Sequence, residues 1–189
     1  MLFIYLRGMF IIYDIYTCNM RRKKTTKKKV PLKYIPKNIS KKDKKILSKE
    51  LRKSRKLFKK NKYHTRKKIS SFKSKTSQHI KNARKLYGLE KITPSIKLSK
   101  KTGCSVKSLH KMVKKGQGAY YSSGSRPNQT ATSWGIARMA SDITGGKAAA
   151  VDFHIIEEGC DPKKPAYKLA VKSRKKHKHG TRKVPKTTM

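Results

Sequence analysis

The strongest constraint on how this 189-residue chain can fold is the place where its positive charge stops. From Gly116 to Gly135, "GQGAYYSSGSRPNQTATSWG", twenty residues pass without a lysine. The flanking sequence is different: residues 21–115 hold 37 Lys and Arg against Asp43, Glu50 and Glu90, and residues 161–189 hold 11 against Asp161. Residues 116–160 carry Arg126, Arg138 and Lys147 against Asp142, Asp152, Glu157 and Glu158. Unpaired charge is expelled from a core because burying it forfeits its hydration. The near-neutral segment, which also holds the sole Trp, is therefore where packing is expected.

The whole chain carries 52 Lys+Arg against 9 Asp+Glu, a formal net charge of +43. A 21.7 kDa body with that charge repels itself, which implies a polyanionic partner. Nucleic acid is the first such partner, DNA ahead of RNA, and an anionic membrane surface the second. Three cysteines, Cys18, Cys104 and Cys160, are too few and too scattered for a disulfide framework, and the odd count favours a reduced compartment.

The first twenty residues, "MLFIYLRGMFIIYDIYTCNM", are apolar, but Arg7 and Asp14 interrupt them as a membrane span and no basic n-region marks a signal peptide. Met20 precedes "RRKKTTKKK", so a misassigned start is the favoured explanation. A membrane partner enters only if residues 1–20 are translated.

Further along, residues 21–38 read as a disordered basic arm with Pro31 and Pro36. Ser40 with Asp43 forms a cap before an amphipathic helix in which Leu47, Leu51 and Phe58 share a stripe, flanked by Ile46 and Leu57. A second helix runs from Thr76 or Ser77 to Tyr87, with Ile80, Ala83, Leu86 and Tyr87 inward and Gly88 at its end. Residues between these two helices read as extended or looped. Thr93-Pro94 opens a short helix that Gly103 closes. Ser105 caps the next, with Val106, Leu109, Met112 and Val113 inward and Gly116 ending it.

The segment "GQGAYYSSGSRPNQT" reads as irregular, since Gly118, Gly124 and Pro127 break helices. Thr132 or Ser133 caps a helix burying Trp134, Ala137 and Met139 or Ser141 and stopping at Gly145-Gly146. A further helix, "KAAAVDFHIIEE", comes next. The fold class expected is mainly α: a small helical module with flexible basic arms. Its divisions are the apolar segment 1–20, a basic arm with amphipathic helices over 21–92, a compact neutral-cored module over 93–160 and a disordered basic tail over 161–189.

Two resemblances add to this. "KLSKKTGCSVKSLHKMVKKG" resembles a bacterial helix-turn-helix, which implies that Lys107, Ser108, Lys111 and His110 face a groove or phosphates. "KKGQGAYYSSGSRPNQTATSWGIARMASDITGGKAAAVDFHIIEEGC", with the preceding "KNISKKDKKILSKELRKSRKLFKKNKYHTRKKISSFKSKTSQHIKNARKLYG", resembles an uncharacterised family of basic proteins from nucleocytoplasmic large DNA viruses of algae and protists, with phage relatives. That resemblance spans about residues 33–160 and implies a small viral protein packaged in the virion. The host nucleus and a cytoplasmic virus factory are the other compartments it allows.

Candidate nucleic-acid contacts are Arg52, Arg55, Lys56, Arg66, Lys67 and Lys68 in the first half and Lys107, Ser108, Lys111, Lys114 and Lys115 in the helix-turn-helix-like pair. An anion loop is expected from Gly116, Gly118, Ser123, Arg126 and Asn128; the alternative is that Arg126 and Asn128 brace an irregular loop. Cys104, His110, His154 and Cys160 form a weak zinc candidate, five residues apart within each pair and off the usual spacing. No metal and no cofactor are expected. The sequence holds no P-loop, no H-E-x-x-H and no G-x-S-x-G elbow. A non-enzymatic, sequence-tolerant nucleic-acid-binding protein is the favoured function. The rivals are a capsid-lining or scaffold protein docking capsid or core proteins through residues 116–160, and a nuclease or other phosphoryl-chemistry enzyme.

Overall fold

The structure, a computed structural model, describes residues 29–178 and 186–189. The apolar segment 1–20 and its question of start or anchor lie outside the described residues, as does Cys18. The described chain is mostly helix, built where local signals start and stop it. Helix α1 (Lys41–Phe58) begins at Ser40, whose side chain accepts from the Asp43 N–H at 3.0 Å. Its inward stripe is Leu47 and Leu51, as the 3–4 spacing predicts. Helix α2 (Gln78–Tyr87) ends at Gly88 with φ +62, and α3 (Ile96–Thr102) at Gly103 with φ +78, both left-handed closures that glycine adopts without strain. Helix α4 starts at Val106, capped by Ser105 through the Ser108 N–H at 3.1 Å.

Several expectations need correction. Ser95, not Thr93-Pro94, caps α3, accepting from the Leu98 N–H at 3.2 Å. Leu86 points outward at 50 % exposure. Gly116 does not end α4, which runs Val106–Ser122 through both Gly116 and Gly118. An isolated helix is destabilised by roughly 1 kcal/mol for each such glycine, but here Gly116 is where α4 crosses α5 (Ala131–Ile143). A Cβ on Gly116 would stand 2.6 Å from the Gly135 Cα. Tertiary contact thus overrides propensity at this position. Helix α5 is capped earlier than expected, by Thr130 and Ser133 bonding reciprocally to each other's backbone N–H. The expected single helix after Gly146 is two, α6 (Lys147–Val151) and α7 (Phe153–Gly159), broken at Asp152.

Among the described elements, α4 and α5 share the most extensive contact. Helix α2 packs on α5, α6 also lies against α5, and α7 lies on α4. Helix α8 (Pro165–His177) covers α5, α6 and α7. The main core holds Leu98, Leu109, Met112, Met139, Ile143 and Ile156, all fully buried, and reaches Ala166 and Ala170 of α8. The described part of the basic tail, expected to be disordered, is instead ordered: Pro165–His177 is a helix whose alanine face completes the core and whose lysines stay exposed, and residues 179–185 lie outside the described residues.

A second core lies beside α1. Residues Lys29–Pro31 (β1) pair antiparallel with Lys186–Thr188 (β2), register Val30 to Thr187, and a 3₁₀ turn covers Leu32–Tyr34. Val30, Tyr34, Ile35 and Ile39 join Leu47, Leu51 and Ile69 in this cluster. Of the arm expected to be disordered over residues 21–38, the described part, Lys29 onward, is ordered, and residues 21–28 lie outside the described residues. Its apolar residues, one every few positions among the lysines, serve this core.

Cys104 and Cys160, 56 residues apart in sequence, form a disulfide. The expectation that the cysteines are too scattered fails because the fold brings the α3–α4 turn and the end of α7 side by side. They meet in an antiparallel bridge: Ser105 donates to the Gly159 carbonyl and Asp161 to the Gly103 carbonyl, each at 2.8 Å. The two Cα atoms are 3.9 Å apart, the close spacing of a pair without direct hydrogen bonds between them. Among the described residues no helix is long and apolar enough to cross a membrane.

Candidate nucleic-acid interface

Lysine spacing on α1 sets up the first element of the interface. Lys42, Lys45, Lys49, Lys53 and Lys56 recur every three or four residues, and all are exposed. At 1.5 Å per residue the stripe is about 21 Å long, the rise of about six nucleotides of one DNA strand. Among the described residues none of these five has a side-chain hydrogen bond or ion pair. Lys59, Lys60 and Lys62 extend the positive region past the helix C-terminus, where cations are favoured by the helix dipole. Along one flank of α1 runs an open groove of about 400 Å³, walled by Lys44, Lys45, Lys49 and Arg52 and by Thr187–Met189.

Acidic residues follow the opposite pattern. Asp43, Glu50, Asp142 and Asp152 are all buried. Asp43 accepts from the Ser71 hydroxyl and from the Ser71 N–H, and these bonds hold its carboxyl below the ordinary value. Burial opposes ionisation of Glu50, but the Lys67 N–H and His64 outweigh it, and its pKa is also lowered. Asp152 takes a bidentate pair from Arg138. Asp142 has both carboxylate oxygens buried without a hydrogen-bond partner among the described residues. Burial, and next the Asp152 charge, push its carboxyl well above the ordinary range, while Arg138 and Lys115 oppose this. Of the acids described, the four left at the surface are Glu90, Glu157, Glu158 and Asp161.

The predicted contact residues divide accordingly. Lys56, Lys67, Lys68, Lys107 and Lys114 are exposed. Arg55 and Arg66 instead build the molecule. Arg55 donates to the Ser123 carbonyl at 2.6 Å. Arg66 lies over the buried Tyr120 ring, 3.7 Å from its centroid, and donates to the Tyr120 carbonyl at 2.8 Å and to Ser125 Oγ at 2.6 Å. Arg52 reaches the Met189 carbonyl at 2.7 Å. Ser108 is buried and hydrogen-bonded to Ser105, so it does not face a groove as the helix-turn-helix resemblance implies. Lys111 pairs with Glu158 at 2.7 Å and Lys115 bonds His154 at 3.2 Å, so α7 covers much of that face of α4.

The expected anion loop is not assembled. Gly116 and Gly118 lie inside α4, where their N–H groups serve the helix, and Ser123 is its C-cap. Asn128 is the brace: at φ +58 it accepts from the Ile69 N–H at 2.8 Å and donates to the Ile69 and Phe72 carbonyls at 2.9 and 2.8 Å. Arg126 braces nothing. Its side chain is exposed, with no hydrogen bond or ion pair among the described residues, although Ser125 and Asn128 hold the backbone on either side of it. The zinc candidate is also corrected, because the disulfide occupies Cys104 and Cys160, while His110 and His154 are exposed. Among the described residues no group of three or more His, Cys, Asp or Glu is placed to hold a metal.

No sequence pattern singles out Lys33 or His79, and Trp134 is expected only as a core residue. The Lys33 ammonium sits 5.6 Å from the ring centroids of both Tyr34 and Trp134. Lys33 is exposed by surface area, yet desolvation by these rings, then Arg126 and Arg138, lower its pKa. His79 is exposed, but desolvation by its neighbours, then Arg126 and Lys33, lower its pKa.

A model of a family of unknown function, DUF5824, matches residues 31–165. The chain belongs to this family. The DUF5824 match spans the end of β1 through the first residue of α8, and so takes in the α1 stripe, both disulfide cysteines and most of both cores. Neither curated proteins nor solved structures return a match.

Proposed function

We propose that this protein is a non-enzymatic, sequence-tolerant nucleic-acid-binding protein, with DNA the preferred polyanion and α1 its principal contact. The observation that carries the reading is the separation of charge by the fold: half of the described acids are turned inward, while the lysines of α1 stand exposed in one line. Such a surface neutralises phosphates and releases their counterions without reading base edges. The virion, the host nucleus or a cytoplasmic virus factory is the compartment consistent with the resemblance to viral proteins. Docking to a capsid protein through residues 116–160 has less to support it, since Gly116, Tyr120, Gly124, Ser125, Gly135 and Met139 are interior.

The test is a salt series of duplex-DNA binding by anisotropy, comparing the full chain with a variant carrying glutamine at 42, 45, 49, 53 and 56. The slope of log affinity against log salt is expected to become shallower by roughly 0.9 for each phosphate no longer neutralised. An unchanged slope and affinity would remove α1 from the interface.

A further inference from the structure

Helix α1 ends in a turn fixed by its own backbone. The Lys60 and Lys62 N–H groups both donate to the Leu57 carbonyl at 2.9 Å, and the Asn61 N–H donates to the Phe58 carbonyl at 3.0 Å. Asn61 takes the left-handed φ of +55 that closes such a helix end. Two residues further on, the His64 ring bonds the buried Glu50 at 2.8 Å. Between these anchors stands Tyr63, 70 % exposed. Its ring centroid is 4.9 Å from that of Tyr121 and 6.2 Å from that of Phe58, and the Phe58 and Tyr121 planes are 10° from parallel. Tyr121 is itself held: Ser54 Oγ donates to its carbonyl at 3.2 Å, and its ring meets the buried Tyr120 edge to face at 5.0 Å.

Phe58 and Tyr121 are half-buried and join the end of α1 to the end of α4. Tyr63 adds little to that packing, because most of its surface stays in water. Lys59, Lys60 and Lys62 are exposed within four residues of it, and both acids of α1 are buried. A protein surface covering Tyr63 would have to neutralise these three lysines as well. A nucleic-acid strand does both at once, since it carries a phosphate beside every base and each base has a flat face to stack on a ring.

We propose that Tyr63, backed by Tyr121 and Phe58, is a stacking platform for an unpaired nucleobase, with Lys59, Lys60 and Lys62 holding the adjoining phosphates. The inference rests on the nucleic-acid reading above and names the ligand class within it, a strand with unpaired bases. A duplex keeps its base faces stacked on one another, so it meets the α1 lysines without using the platform. Stacking of this kind tolerates any base, in keeping with a protein that does not read sequence.

Anisotropy titrations of the full chain test it, with a thymidine oligonucleotide in one arm and an abasic oligonucleotide of the same length in the other. The two carry the same phosphates and differ only in the bases. The parent chain is expected to bind the thymidine strand about tenfold more tightly, the worth of one base–aromatic stack. Tyr63→Ala should remove that preference and leave abasic and duplex affinities unchanged, whereas Tyr63→Phe should keep it, because stacking needs the ring and not the hydroxyl. Equal affinity of the parent chain for the two strands would overturn the platform, as would a preference that survives Tyr63→Ala. The variant with glutamine at 42, 45, 49, 53 and 56 separates the two proposals. It should weaken binding of both strands in parallel and keep the ratio between them, so an unchanged affinity with the ratio intact would count against α1 alone.

Discussion

Gly116 of α4 and Gly135 of α5 meet backbone to backbone where the two helices cross. Besides the 2.6 Å approach seen from Gly116, a Cβ on Gly135 would lie 2.7 Å from the Val113 carbonyl oxygen. Neither obstacle is a side chain that can swing away. Gly116→Ala gains helix propensity but must part the helices, and overpacking of this kind costs about 1–3 kcal/mol. We expect a lower melting temperature for either alanine variant by circular dichroism. An unchanged or higher one would mean that the crossing is looser than described.

Asp142 lies in the interior with neither oxygen hydrogen-bonded among the described residues. Its folded-state pKa is raised, so its contribution to stability is complete below the unfolded-state pKa and is lost as pH rises through the folded-state value. Asp142→Asn removes that loss. The variant and the parent should match in stability at acid pH and diverge as pH rises, with the variant ahead by about 1–3 kcal/mol once the parent carboxyl ionises. Denaturant melts across a pH series measure the difference, which also cancels the opposite trends from Asp43 and Glu50.

The Cys104–Cys160 bond closes a long loop containing α4 to α7. Chain-entropy reasoning assigns such a closure about 4 kcal/mol. Paired serine substitution at both positions is expected to lower the denaturation midpoint substantially while preserving helix content, because the Ser105–Gly159 and Asp161–Gly103 hydrogen bonds remain. Equal stability with and without reductant would refute the cross-link.

Asn128 and Arg126, two residues apart, have opposite roles. Asn128→Ala deletes three hydrogen bonds and leaves a left-handed residue without its local compensation, at a cost of about 2–3 kcal/mol. Arg126→Gln removes no hydrogen bond or ion pair described and should stay within about 0.5 kcal/mol of the parent. Thermal melting of the two variants side by side decides this, and a large drop for Arg126→Gln would make it a brace after all.

Much of this fold was legible from local sequence. Ser40, Gly88, Gly103 and Ser105 mark helix ends through bonds to their own neighbours, and the Leu47–Leu51 stripe needs only a helical period. The exposed lysines of α1 follow from the same period, as the complement of that stripe. Charge segregation located the central core segment, although α8 and the Val30–Ile39 segment share in the packing as well.

Sequence alone determined the properties that depend on composition or on neighbours within a turn or two: helix class, most caps, an amphipathic basic helix and a large positive net charge. Tertiary structure decided the rest, because those outcomes depend on what arrives from elsewhere in the chain. Gly116 stays helical because Gly135 lies against it, Ser108 is buried because α7 covers it, and Cys104 finds Cys160 across the fold. Arg66 becomes a structural residue because Tyr120 and Ser125 surround it, while Arg126 stays exposed. Lys33 meets Trp134 for the same reason: distance along the chain places no limit on which side chains a fold brings together.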